Sequence, residues 1–363
     1  MAVGVRRLPQ RAAYTAYLVA FMLVLLEILV RFDALAPRFD LFGLDMLLDS
    51  NVLFRVKGNS HPEINALGYR DREFEPKGPG SGRRTLVLGD SFMMALHMGA
   101  HQTLPKQLEG LLAEGDVYNM GVQGDGPDQA LIRLLHEGIQ LEPDRVILAL
   151  YAANDFSDLS KNRLFDLDER GELQRTAENA LSERLPSLGL WYLVQFLRYR
   201  VSSSFDSTYD YVFQSDGGEG ELFFELFRTL LADNVDHEFL LAPTSQAALG
   251  QVALMEAVLG RMRDELARLG VPLVVVIIPS YFNVQDLGPF RERGIAEENA
   301  FAFEDAAVGI CQRLALDCLN LYPLMQARGG GPPFYNSTDL HLSIAGTRFV
   351  TLAIYRHLTR DAE

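Results

Sequence analysis

The chain has 363 residues, 48% hydrophobic and 22% charged, with no low-complexity tract or internal repeat, which fits one large folded domain with an insertion and a short appendage. A net charge of -15 repels phosphate backbones and anionic lipid, and no local basic patch offsets it, which argues against nucleic-acid binding and for neutral or weakly charged substrates. The two cysteines, Cys311 and Cys318, read as independent packing residues unless the fold brings them within bonding reach.

At the N-terminus, Arg6, Arg7 and Arg11 precede an apolar run from Ala12 to Val30, about long enough to cross a bilayer at ~1.5 Å per residue. Glu27, its only charge, lies near the outer end, where a carboxylate costs less than at the bilayer centre. Arg31 and Arg38 on the far side are fewer than the basic residues before the run. The positive-inside rule therefore predicts a cytoplasmic tail over 1–11, a transmembrane anchor over 12–31, and an extracytoplasmic or periplasmic location for the rest. Ala34-Leu35-Ala36 imitates a cleavage site, but the run is longer than a usual signal peptide and Pro37 follows, so the anchor is expected to stay.

Residues 32–83 read as a connector and domain entry, ending in Gly78-Pro79-Gly80-Ser81-Gly82. These glycines precede a strand instead of following one, so they form a loop and not a phosphate cradle. From about 84 to 363, strand and helix alternate. Strands are predicted at Thr85 to Leu88, Val117 to Val122, Val146 to Tyr151, Pro272 to Ile278 and about Asp317 to Leu321. Helices are predicted at Leu104 to Ala113, Pro127 to Ile139, Gln246 to Leu269, Glu298 to Leu314 and Ser343 to Leu358. This is the pattern of an α/β doubly wound parallel sheet. The rhythm breaks between about 156 and 243, read as an insertion; its segment Leu188 to Val201, with Trp191, reads first as core packing, otherwise as an interfacial helix or a sugar-stacking platform.

In open α/β sheets reactive groups gather at the carboxyl ends of strands. The first strand ends in Gly89-Asp90-Ser91, placing a serine at a helix start where free N–H groups can hold negative charge. The second ends in Asn119-Met120-Gly121-Val122-Gln123-Gly124, where glycine lets a backbone N–H approach a ligand; Gly124 or Gly126 could serve instead. The third ends in Ala152-Ala153-Asn154-Asp155, and Asp339-Leu340-His341-Leu342-Ser343 precedes the last helix. Together these supply the nucleophile, base, orienting acid and oxyanion donors that acyl transfer requires.

The order of these blocks, GDS at 89–91, Gly121 in NMGVQG, Asn154 in AANDF and DLHLSIAG around Asp339 and His341, resembles the SGNH/GDSL hydrolase superfamily. INALGYRDREF before the first strand and VVVIIPS at 274–280 look like its bacterial membrane-anchored members. The resemblance implies a three-layer α/β/α flavodoxin-like fold. It also implies Ser91 as nucleophile, His341 as base, Asp339 as orienting acid, and an oxyanion hole of Ser91 N–H, Gly121 N–H and the Asn154 side chain. Many members place the acid three residues before the histidine; Asp339 stands two before His341, a spacing that points to anchored and polysaccharide-acetylating relatives. The expected activity is hydrolysis of acyl esters, acetyl foremost, with an extracytoplasmic carbohydrate among the expected substrates. An O-acyltransferase working with a multi-pass membrane acyl donor, or a non-catalytic binding module, shares the same fold and stays open.

No cofactor is expected. Gly121, Gly124 and Gly126 are spaced GxxGxG, not as a dinucleotide fingerprint. His97 and His101 stand four apart on a predicted helix but have no third ligand or catalytic glutamate with them, so no metal is expected either.

Overall fold

The computed structural model describes residues 10–31, 39–41, 44–49, 51–112, 115–176, 239–285, 287–292, 294–328, 333–337 and 339–360. The chain divides into two compact units, one of residues 1–55 and 177–213 and the other of residues 56–176 and 214–363. Most of the expected insertion, including the segment Leu188 to Val201 with Trp191, lies outside the described residues.

In the first unit the apolar run forms helix α1 (Gln10–Arg31), whose described side chains are exposed, Tyr14 by 63% and Tyr17 by 65%. Among the described residues, no helix is long and apolar enough to cross a membrane. The transmembrane helix expected over 12–31 is therefore not found among the described residues. The stretch expected to be a plain connector carries strands β1 (Phe39–Leu41) and β2 (Leu44–Asp49), paired antiparallel with Phe39 opposite Met46. A third strand, β3 (Leu53–Val56), completes the order β1-β2-β3. Asp49 makes the turn between β2 and β3, accepting from Asn51 N at 2.7 Å and from Arg55 Nε at 2.7 Å.

In the second unit, runs of Val, Ile and Leu too short for helices pair as parallel strands. These are β4 (Arg83–Leu88), β5 (Gly115–Asn119) and β6 (Arg145–Tyr151). A small hairpin of β7 (Phe165–Leu167) and β8 (Leu173–Arg175) intervenes before β9 (Leu273–Ile278) and β10 (Asp317–Asn320) resume the sheet. The sheet order is β5-β4-β6-β9-β10. Counted in chain order within this sheet that is 2-1-3-4-5, whose switch point falls between β4 and β6, where open α/β sheets bind their ligands.

Both faces of the sheet are covered, so its strands read as continuous apolar runs and not as alternating ones. On one face Val87, Val117, Ile147, Val274 and Val276 cluster with Leu104 and Leu108 of helix α3 (Leu104–Leu112) and with Val350 and Ile354 of the C-terminal helix Ile344–Thr359. The alternate residues Leu86, Leu88, Val146, Leu148 and Val275 are buried on the other face. There helix Gln246–Arg268 packs against helices Pro127–Arg133, Asp155–Asn162 and Ala302–Leu314. Fully burying one such aliphatic side chain is worth about 1.5–3 kcal/mol.

Two differences from expectation are local. The helix expected to run to Ile139 leaves α geometry after Arg133, through a π turn over Leu134–Gly138 and a 3-10 turn over Ile139–Leu141. Cys311 and Cys318, expected to be independent, are joined in a disulfide. Ala315 takes a left-handed φ of 51° after helix Ala302–Leu314, which reverses the chain and brings Cys318 on β10 back to Cys311 with 6.3 Å between Cα atoms.

Candidate active site

The nucleophile turn follows β4. Gly89 has φ of 152°, and a Cβ there would lie 2.8 Å from Met93 Cγ and 3.2 Å from Ala149 Cβ, so only glycine fits between the strand end and the neighbouring β6. Asp90 caps the short helix α2 (Ser91–Met94), accepting from Phe92 N at 2.9 Å. Ser91 is the first helical residue, so its N–H has no partner within the helix.

The turn is held from below by the domain entry. Arg70 is buried and donates to the main-chain oxygens of Met94, Ala95 and Met98 at 2.9, 2.5 and 2.6 Å, while Glu63 accepts from its Nε at 2.9 Å. Asp71 accepts from Asn119 N at 2.8 Å, and Asn119 Nδ2 donates to Met93 O at 2.9 Å. Residues 56–75 are thus part of the scaffold beneath Ser91.

The histidine loop runs from Pro333 to Ser343. Tyr335 pairs with Leu342 in an antiparallel bridge, Asn336 N donates to His341 O at 2.8 Å, and the Tyr335 hydroxyl donates to Pro279 O at 2.5 Å beyond the end of β9. Ser343 caps the last helix through Gly346 N at 3.0 Å. Between Asp339 and His341, Leu340 adopts φ of 59°, so the loop holds a bulky residue in a left-handed conformation to present both side chains on one side. Asp339 Oδ1 accepts from His341 N at 3.1 Å, as short acidic side chains do in turns.

The structure brings Ser91, His341 and Asp339 together. Ser91 Oγ and His341 Nε2 are 2.8 Å apart, a good hydrogen bond. Asp90 Oδ2 lies 3.5 Å from the same hydroxyl and competes poorly. His341 Nδ1 is buried without a hydrogen-bond partner, 3.7 Å from Asp339 Oδ2. That separation leaves a charge interaction without a formed hydrogen bond. Burial pushes the Asp339 carboxyl up, but the His341 and His97 imidazoles outweigh it, so the net shift is downward and the group stays ionised.

The expected oxyanion donors are placed differently from one another. Gly121 lies against the nucleophile turn, since a Cβ there would meet Met93 Cβ at 2.4 Å and Asp90 O at 3.2 Å. Its N–H is occupied, donating to Asn119 Oδ1 at 3.0 Å. Asn154 follows β6 on the other side of the switch point; its Nδ2 donates to Asp158 Oδ2 at 2.8 Å and its Oδ1 is buried unpaired. One N–H of that amide remains for a ligand.

Beneath these donors lie Asp90, Asp128 and Asp155, all buried. Were all ionised, they would oppose an oxyanion. Burial pushes Asp128 up to about 7 and Asp90 up to about 6, the latter held down in part by Phe92 N–H and by His341. Asp155 rises well above the ordinary range through burial and its neighbours Asp90 and Asp158. The buried set therefore retains protons that exposed carboxyls would lose.

One residue at the centre was not expected there. His97 lies in the turn after α2, not on a helix with His101, which sits in the 3-10 turn Ala100–Gln102. Its ring stacks on that of His341 with centroids 5.1 Å apart, and its Nε2 is 3.0 Å from Leu342 O. Nothing in the spacing of an isolated histidine signals this; only the fold does. The grip of Asn119 on Gly121 was more legible, because an asparagine two residues before a glycine is a common side-chain turn.

No family model and no curated protein matches the chain. Among solved structures it is similar to a lipase/acylhydrolase from Enterococcus faecalis, at 16% identity over 77% of this chain and 96% of that one, with a TM-score of 0.41. It is also similar to a catalytic mutant of an acetylxylan esterase from Geobacillus stearothermophilus, at 14% identity over 77% and 95%, TM-score 0.42. A third is an alpha/beta hydrolase enzyme from the metagenome of Lake Arreo, at 11% identity over 76% and 95%, TM-score 0.40.

Proposed function

We propose that the chain is a serine esterase that hydrolyses acyl esters, a small group such as acetyl foremost, through an acyl-enzyme on Ser91. The observation that carries this reading is the 2.8 Å contact between Ser91 Oγ and His341 Nε2 at the carboxyl end of β4, beside the switch point of the sheet. His341 takes the Ser91 proton as the hydroxyl attacks the ester carbonyl, and returns it to the departing alcohol. Asp339 stabilises the imidazolium across 3.7 Å. Ser91 N–H and the free N–H of Asn154 serve the developing oxyanion, and Gly121 N–H, bonded to Asn119 Oδ1, lies beside them.

We place this domain outside the cytoplasm. The Cys311–Cys318 disulfide supports that location, because such bonds persist in oxidising compartments. So do the exposed apolar side chains of α1, whose removal from water an anchor would accomplish.

Fluorophosphonate labelling tests the reading: the parent chain is expected to label at one site, and Ser91→Ala to lose it. Labelling of the alanine variant at the parental rate would overturn the assignment of the nucleophile. Release of acetate from a small acetyl ester, lost in the same variant, tests the reaction itself.

A further inference from the structure

Three side-chain atoms able to ligate a metal converge behind the Ser91–His341 pair. His97 Nδ1 lies 3.9 Å from Asp339 Oδ2, and His341 Nδ1 lies 3.7 Å from the same oxygen. One ligand atom from each of these three residues lies within 4.8 Å of the other two, the one such His/Cys/Asp/Glu group among the described residues. The three side chains are 15 to 19% exposed, so the cluster is sheltered yet reachable from solvent.

The tautomer of His97 is set by its other nitrogen. Leu342 O is a carbonyl oxygen and only accepts, so Nε2 at 3.0 Å carries the hydrogen and Nδ1 presents a bare lone pair to the Asp339 carboxylate. A ring lone pair and a carboxylate oxygen 3.9 Å apart form a pair of ligand atoms that a cation can bridge. A ring N–H donated to a backbone carbonyl is also how metal-ligating histidines are oriented. His341 Nε2 is on Ser91 Oγ, and its Nδ1 is buried without a hydrogen-bond partner.

The geometry points to a divalent transition-metal site, for zinc by its two-imidazole, one-carboxylate donor set, formed by His97 Nδ1, His341 Nδ1 and Asp339 Oδ2, whose occupation switches the esterase off. Zinc takes such ligands at ~2.0–2.2 Å in tetrahedral geometry, which places ligand atoms about 3.3 Å apart. The observed 3.7 and 3.9 Å close to that value with small side-chain rotations. Water takes the fourth position.

Inhibition follows from the two nitrogens of His341 and rests on the esterase reading; metal binding itself does not. As a base, His341 needs its lone pair on Nε2 and its proton on Nδ1. A metal on Nδ1 needs the reverse. Binding therefore moves one proton from Nδ1 to Nε2 of a neutral ring, with no net proton released, and Nε2–H then donates to Ser91 Oγ. With no lone pair left on Nε2, the serine has no base.

The test uses the untagged full-length chain in detergent, stripped with EDTA. Cobalt(II) serves as the spectroscopic probe and zinc chloride as the inhibitor. The parent is expected to bind one cobalt per chain with a tetrahedral visible spectrum, and zinc to abolish fluorophosphonate labelling of Ser91 until EDTA restores it. His97→Gln keeps an N–H near the Nε2 position for Leu342 O but has no imidazole lone pair; it is expected to lose the cobalt spectrum and to need at least tenfold more zinc for half-protection. Asp339→Asn, read by cobalt binding alone, is expected to weaken binding at least tenfold. No stoichiometric cobalt on the metal-free parent, or equal binding by both variants, overturns the site. Zinc bound with labelling unchanged overturns the switch. A metal-free parent that fails to label at all overturns the esterase reading instead, and leaves the cobalt result to decide the site.

Discussion

Replacing Asp339 by asparagine removes one charge while keeping the shape and the oxygen that accepts from His341 N at 3.1 Å. The turn should therefore persist. What is lost is the attraction between a carboxylate and the imidazolium that forms as Ser91 attacks, across 3.7 Å. At an effective dielectric of ~20, suited to a partly buried pair, that attraction is about 4 kcal/mol. If all of it acts in the transition state, kcat/KM falls about a thousandfold. The assay is acetyl-ester turnover by the parent, Asp339→Asn, His341→Ala and the double variant, with thermal unfolding of each as a control on folding. The two losses should not add, because an orienting acid has nothing to orient once the base is gone. A fall of less than tenfold in Asp339→Asn, with unfolding unchanged, would show that Asp339 only shapes the turn and that His341 works without it.

Gly121→Ala places a methyl 2.4 Å from Met93 Cβ; it is expected to cost about 1–3 kcal/mol in urea unfolding and to slow labelling of Ser91, since the nucleophile turn must shift to admit it. Burial pushes the Glu304 carboxyl up to about 8, so the folded state holds a proton that the unfolded chain loses near its ordinary 4.5. Stability from this group is therefore present below about 4.5 and lost as pH rises through about 8. Glu304→Gln should flatten the stability profile over that window, by about 5 kcal/mol, as read from urea melts at several pH values. Reduction of Cys311–Cys318, or replacement of both by alanine, should lower stability by about 2.5 kcal/mol or less, because the bond closes a short loop. Melting temperatures with and without reductant, compared with the double variant, check this.

The five strands of the parallel sheet lie within a few residues of where apolar runs and flanking turn residues place them, because strands buried on both faces must be apolar throughout. Ser91 was legible for a related reason, since strand ends are where a doubly wound sheet exposes its loops, and His341 from its place just before the last helix. What failed to show was anything depending on the third dimension alone. The strand Phe39–Leu41 is too short to display a period, and Leu44–Asp49, LDMLLD, has neither strict alternation nor a continuous apolar run. The Cys311–Cys318 bond depends on a left-handed turn at Ala315, a residue with no preference for it. His97 reaches the site from a turn, and Gly121 N–H is taken by Asn119, contacts fixed by side-chain packing and not by spacing.

The clamp that Arg70 makes on Met94, Ala95 and Met98 gives the stretch before the sheet an importance out of proportion to its irregular structure. This guanidinium leaves the ribosome before the carbonyls it will hold, so the growing chain carries a charge in search of its socket until residues 94–98 emerge. A protein engineer trimming to the first sheet strand would keep every strand of the parallel sheet and discard the bolt. Such a fragment would have β4 and Ser91, but the carbonyls of Met94, Ala95 and Met98 at the foot of the nucleophile turn would be stripped of the guanidinium that gathers them.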